Sequence, residues 1–104
     1  MNGYQRQKLL DQHGLNYFED FIIGLVYEER VINIMDIIQK CIDMGICSYA
    51  TAHKNYKTAS DKGYLSFVKG QDHREKRIVL STKAVAYLEE LKWNHLTIFL
   101  RPYF

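Results

Sequence analysis

This chain of 104 residues has a single proline, at position 102, and a single tryptophan, and its six glycines are scattered singly. No segment reads as a linker, and there is no internal repeat or low-complexity run, so one domain is expected, with one core and no second compartment. No apolar run is long enough to span a bilayer. The start, MNGYQRQKLLDQH, lacks the apolar stretch of a secretory signal, so a cytoplasmic, non-membrane protein is expected. Cysteine is scarce too. Cys41 and Cys47 sit in CIDMGIC, which is neither a C-x-x-C pair nor half of a zinc site, and they read as reduced thiols, at least one of them a small core residue. His13 and His95 have no Cys or carboxylate at ligand spacing, so no metal is assigned. No Gly-rich phosphate loop, nucleophile motif or carboxylate pair framed by apolar sequence that would tune its acidity is evident. Neither catalysis nor a cofactor is therefore expected.

What the chain does have is 47% hydrophobic residues and an uneven charge pattern beneath a net charge of +2. Residues 1–45 carry four Lys/Arg against seven Asp/Glu, residues 46–83 carry eight against three, and residues 84–104 carry two against two. A positive excess gathered on one segment of a near-neutral protein is the footprint of a polyanion-binding face.

That segment also has the clearest local signals. Ser48 can accept from the free amides of a first helical turn, and Lys62-Gly63 can close the helix, which predicts a helix over 48–62. The period then changes from 3.6 to 2. Tyr64-Leu65-Ser66-Phe67-Val68 and Arg77-Ile78-Val79-Leu80-Ser81 read as strands around a polar, mostly charged tip, Lys69 to Lys76. Upstream, Asn33 and Asp36 resemble a capping box ahead of Ile34, Ile37, Ile38, Cys41 and Ile42, and Met44-Gly45 ends that helix just before the Ser48 cap. Two helices joined by so short a glycine-containing turn form a helix-turn-helix. On its second helix Ala52, Tyr56 and Ala59 are expected to face the core. Ser48, Tyr49, Ala50, Thr51, His53, Lys54 and Lys57 make a donor-rich face suited to a major groove.

Toward the amino end, Tyr4 to Gln12 is weakly amphipathic, Gly14 marks a break and Asn16 can cap a helix. In that helix Tyr17, Phe18, Phe21, Ile22, Leu25 and Val26 form a broad apolar stripe, with Glu19, Asp20 and Glu28 expected to face water. So wide a stripe either centres the core or packs against another copy. Val31-Ile32 suits a third short strand. At the carboxyl end Ser81 caps a helix from Thr82 to about Leu100, with Val85, Leu88 and Leu91 at helical spacing. The apolar tail WNHLTIFLRPYF is more than so small a domain can cover. A homodimer is therefore expected, with Leu9, Leu10, Phe18, Phe21, Trp93, Leu96, Phe99, Leu100, Tyr103 and Phe104 at its interface.

Ser48-Tyr49-Ala50-Thr51-Ala52, Asp61-Lys62-Gly63-Tyr64-Leu65, Asp72-His73-Arg74-Glu75-Lys76 and Leu80-Ser81-Thr82-Lys83 together resemble the winged-helix core of the MarR/SarA group of transcription regulators. The resemblance implies an Asp-x-Arg wing in which Asp72 orients Arg74 into a minor groove. This sequence has Ala59 where the group usually has a large aliphatic residue and Ala84 where it often has glycine. It is also short, so its dimerisation helices are abbreviated. The expected fold is α+β: a winged helix-turn-helix with flanking helices for dimerisation, a single domain over 1–104 with amino-terminal helices at 1–30, helix-turn-helix and wing at 31–83, and a dimerisation helix and tail at 84–104. The expected partner is DNA, double-stranded by preference, contacted by the 48–57 face and by Lys69, Gln71, His73, Arg74, Lys76 and Arg77. A single-strand binder, favoured by Tyr49, Tyr56 and Tyr64 among cations, and a protein-interaction module are the alternatives.

Overall fold

In the computed structural model the described residues are 3–28, 33–69 and 76–100, the side chains of 3, 69, 76 and 92–100 excepted. They form α1 (Gly3–His13), α2 (Tyr17–Glu28), α3 (Ile34–Asp43), α4 (Tyr49–Asp61), β1 (Leu65–Lys69), β2 (Lys76–Leu80) and α5 (Thr82–Leu100). The strands pair antiparallel with Leu65 opposite Leu80, Phe67 opposite Ile78 and Lys69 opposite Lys76. The architecture is α+β, a helical assembly carrying a two-stranded ribbon. The third strand expected at Val31-Ile32 lies outside the described residues.

Local chemistry sets the element ends. Ser48 accepts from the Thr51 amide, Asn33 from the Met35 amide, and Ser81 Oγ from the Ala84 amide at 3.2 Å. At the two helix exits that shape the motif, Gly45 (φ +67°) and Gly63 (φ +87°) take the left-handed conformation. Each lets the next amide reach back, Ile46 N to Cys41 O at 2.9 Å and Tyr64 N to Ala59 O at 3.0 Å, which satisfies carbonyls a helix end leaves open. The first reversal aims α4 across α3. The second turns the chain straight into the ribbon.

The core has two parts, and α2 belongs to both. On one side Ile22, Leu25 and Val26 pack with Ile37, Ile38, Cys41, Ala52, Tyr56, Ala59, Leu65 and Ile78. On the other, Ile23 packs with Leu10, Leu15, Tyr64, Ala84 and Tyr87. Ile22, Leu25 and Val26 of the expected stripe, joined by Ile23, make α2 the centre of the core, whereas Tyr17 is exposed and Phe18 and Phe21 are half-covered. Ala52 and Ala59 bring α4 close to its neighbours, and Ala84 brings α5 close to Tyr64. In α5 the buried face is Ala84 and Tyr87 with Leu88 and Leu91 partly covered, whereas Val85 is exposed.

One expectation is overturned. Glu19 and Asp20 do not face water; both are buried, with Glu19 fully so. Glu19 closes a reciprocal capping box: its amide donates to Asn16 Oδ1 at 2.8 Å and its Oε1 accepts from the Asn16 amide at 2.9 Å. The same Oε1 accepts from Lys62 Nζ at 2.7 Å, and Lys62 Nζ also donates to Gly14 O. Asp20 points the other way, toward the flanking helices. Its Oδ2 accepts from Arg6, and its Oδ1 accepts from Tyr87 Oη at 2.5 Å. Helical periodicity sorted these carboxylates outward by their charge. Partners supplied by α1, α4 and α5 keep them inside, because a buried charge persists where it is paired and hydrogen-bonded.

A second polar junction joins α1 to the ribbon base and α5. His13 Nδ1 lies 3.0 Å from Tyr64 Oη and Nε2 lies 2.8 Å from Glu90 Oε2, while Tyr64 Oη donates to His13 O at 3.2 Å. Burial raises the Tyr64 and Tyr87 hydroxyls above the ordinary tyrosine range. The carboxylates of Glu19 and Glu90 add to the effect at Tyr64, and the bond to Asp20 adds to it at Tyr87. Both phenols therefore stay protonated donors.

Candidate nucleic-acid interface

With its inner face fixed by Ala52, Tyr56 and Ala59, α4 has no choice about what it turns outward. Ser48, Tyr49, Ala50, Lys54 and Lys57 are exposed, and Thr51 and His53 are half-covered. The structure brings these seven residues of the predicted face together along one helix. It also buries a residue that pattern reading passed over. Asn55 accepts from Asn16 Nδ2 at 2.7 Å and donates to Thr51 O at 2.8 Å, which ties α4 to the start of α2.

Arg77 is exposed on β2, opposite Val68. Lys69 and Lys76 end the two strands and pair with each other, so the ribbon holds both lysines at the base of the tip. Gln71, Asp72, His73 and Arg74 lie outside the described residues, as do Tyr103 and Phe104. Of the expected dimer residues, Leu9 and Leu10 are buried by their own chain at 3% exposure each, which leaves a second copy little of them to touch. Phe18 is half-covered, and Phe21 packs against the first core cluster. Trp93, Leu96, Phe99 and Leu100 lie on the α5 backbone.

The two flanks of α4 differ. On one, a cleft of about 480 Å³ opens against the start of α2, lined by Asn16, Tyr17, Phe18, Lys54, Thr58 and Lys62. Lys62 is committed there to Glu19 and Gly14, whereas Lys54 is exposed at the edge. On the other flank Tyr49, His53 and Tyr56 lead to Phe67 of β1. Phe67 was missed as a surface residue: strand alternation puts it on the side of buried Ile78, yet it is 44% exposed. The Asn16/Glu19 spacing was the one signal that marked the α2 cleft in the sequence.

Glu19 and Asp20 lie between Tyr17-Phe18 and Phe21-Ile22-Ile23. The two carboxylates are engaged by Asn16 and Lys62 and by Arg6 and Tyr87, in structural roles. Among the described residues no group of three or more His, Cys, Asp or Glu converges as a metal site would require. None of the helices there is long and apolar enough to cross a membrane.

A helix capped at Ser48, crossing a preceding helix and followed by a two-stranded ribbon, has a solved counterpart. S. aureus MepR, in the crystal structure of its complex with DNA, superposes with a TM-score of 0.73 at 18% identity, over 93% of this chain and 73% of that one. This chain has a MarR-like winged-helix fold. In that frame α3 and α4 are the helix-turn-helix, β1 and β2 are the wing, and α1 and α5 flank them. No family model and no curated protein matches the sequence. The likeness therefore lies in backbone arrangement, and the roles of individual residues rest on their own geometry.

Proposed function

We propose that the protein is a homodimeric, cytoplasmic, non-enzymatic regulator of transcription that binds double-stranded DNA. In this reading α4 enters the major groove and the wing lies on the adjacent backbone and minor groove. The observation that carries it is the outward face of α4, where Ser48, Tyr49, Thr51, His53, Lys54 and Lys57 stand together opposite a wholly buried inner face. Hydroxyls at the helix start suit phosphate and base edges, and the two lysines supply counterion-releasing contacts. The winged-helix fold, shared with a protein solved on DNA, supports the same reading.

Within it Arg74, with Asp72 beside it, enters the minor groove, and Lys69, Gln71, His73, Lys76 and Arg77 follow the backbone. The homodimer forms through α5 and the tail, with Trp93, Leu96, Phe99, Leu100, Tyr103 and Phe104 joined by Phe18 and Phe21.

Titration of duplex DNA at several salt concentrations tests the face. Lys54→Ala with Arg74→Ala is expected to weaken binding and to reduce the slope of log K against log salt by about 0.9 for each phosphate no longer neutralised. Unchanged affinity and slope in a folded double variant reject the assigned surface. Sedimentation of the wild-type chain tests the dimer, and a monomer at high concentration rejects it.

A further inference from the structure

Four aromatic rings form a continuous row between the recognition helix and the wing. Tyr49 and His53 have centroids 6.1 Å apart and planes within 14° of parallel. His53 lies 6.4 Å from Tyr56, which meets Phe67 edge-on at 6.0 Å. Positions 49, 53 and 56 are spaced i, i+4, i+7, so the helix stacks them on one flank, and β1 delivers Phe67 to the end of the row. Tyr56 is buried and serves as its floor. Tyr49 and Phe67, at 52% and 44% exposure, turn large apolar rings to water.

This row does not match what a duplex offers. Phosphates call for donors, and bases in a duplex keep their faces inside a stack that rises about 3.4 Å per nucleotide along each strand. Tyr49 and His53 are instead 6.1 Å apart and near parallel, a spacing met by a strand drawn out of its stack, and Phe67 follows beyond the buried Tyr56. Exposed Lys57 stands on the adjoining ridge of α4, and the segment from 46 to 83 holds the chain's positive excess. Aromatic faces bordered by cations are what unpaired bases and their backbone require.

We propose that the Tyr49–His53–Phe67 row is a base-stacking platform for single-stranded DNA, a second nucleic-acid activity of this chain that does not depend on the duplex reading. Tyr49 and Phe67 stack bases, His53 bridges the interval between them, and Lys57 takes a phosphate.

The probe is a fluorescent thymidine oligonucleotide of about a dozen nucleotides, titrated against the full chain by anisotropy in parallel with a duplex. Phe67→Leu keeps apolar bulk over Tyr56 but removes the π-face, and Phe67→Tyr retains both. Loss of one stacked base corresponds to a drop of about fivefold to a hundredfold. A fall in that range is expected for Phe67→Leu, affinity near wild type for Phe67→Tyr, and unchanged duplex affinity for both. Equal single-strand affinity for Phe67→Leu and wild type, both folded by circular dichroism, overturns the proposal. So does a failure of the wild-type chain to saturate with the oligonucleotide. Phe67-dependent single-strand binding without any duplex binding would uphold the platform and reject the regulator reading.

Discussion

Replacing Tyr87 with phenylalanine removes one oxygen from the interior and nothing else. Its hydroxyl donates to Asp20 Oδ1 at 2.5 Å, where the carboxylate is only 3% exposed, so water has little room to substitute. A hydrogen bond to a charged group contributes about 1.5–3 kcal/mol, and a buried acceptor left open costs a similar amount. The other Asp20 oxygen keeps Arg6, which prevents full exposure of an unpaired charge. The expected loss is therefore about 2 kcal/mol, out of a total near 5–15 kcal/mol for a domain of this size. In a thermal melt it should appear as a fall of roughly 10 °C in Tm. Urea unfolding with fluorescence detection gives the free energy. In an Asp20→Leu background the same Tyr87→Phe change should cost less than about 0.5 kcal/mol, because the acceptor is gone. An equal cost in both backgrounds, or a negligible cost in the wild-type chain, would refute the assignment of this bond as a stabilising tie between α2 and α5.

Three further outcomes are expected. Tyr56, Tyr64 and Tyr87 are all raised above the ordinary value, chiefly by burial. A raised folded-state value means that stability is fully present below the unfolded value, near pH 10, and is lost as pH climbs above it. Urea midpoints should therefore fall above about pH 10, and Tyr87→Phe should make the decline shallower by up to about 1.4 kcal/mol per pH unit. Burial and the neighbouring Cys47 thiol push Cys41 up to about 11, so maleimide labelling at neutral pH should modify Cys41 only on the timescale of unfolding, as intact-mass spectrometry can read. At Gly63 (φ +87°) an added methyl meets only Lys83 Cδ, at 4.0 Å, so Gly63→Ala should destabilise through backbone strain alone, by about 1–2 kcal/mol, and Lys83→Ala should not rescue it.

The parts of this fold legible in the sequence are those set by neighbours in the chain. Ser48, Ser81 and Asn33 bond to amides two or three residues away, and Gly45 and Gly63 reverse the chain where they stand, so helix ends and the change from helix to ribbon follow from local chemistry. The inner face of α4 was equally plain, because alanine and tyrosine at i, i+4, i+7 leave one solution. Glu19 and Asp20 were misread because their partners lie 43 and 67 residues onward, at Lys62 and Tyr87. Periodicity carries no information about such pairings, and a charged residue next to an apolar stripe defaults to solvent. The aromatic row was half visible. The tyrosine and histidine spacing within α4 was in the sequence, but the rotation of β1 that brings Phe67 onto Tyr56 is tertiary.

Because Glu19 and Asp20 are consecutive, α2 is bolted to the end of α4 by one residue and to α1 and α5 by the next. That bears on transplantation. A fragment beginning at residue 31 looks self-sufficient, since it keeps both helices of the motif and the wing. Cut there, it would strand Lys62 and Asn55 without their acceptor and donor, and would uncover the wall of apolar side chains that Ile22, Leu25 and Val26 close. The smallest piece that can be moved onto another protein and still hold α4 steady begins no later than α1.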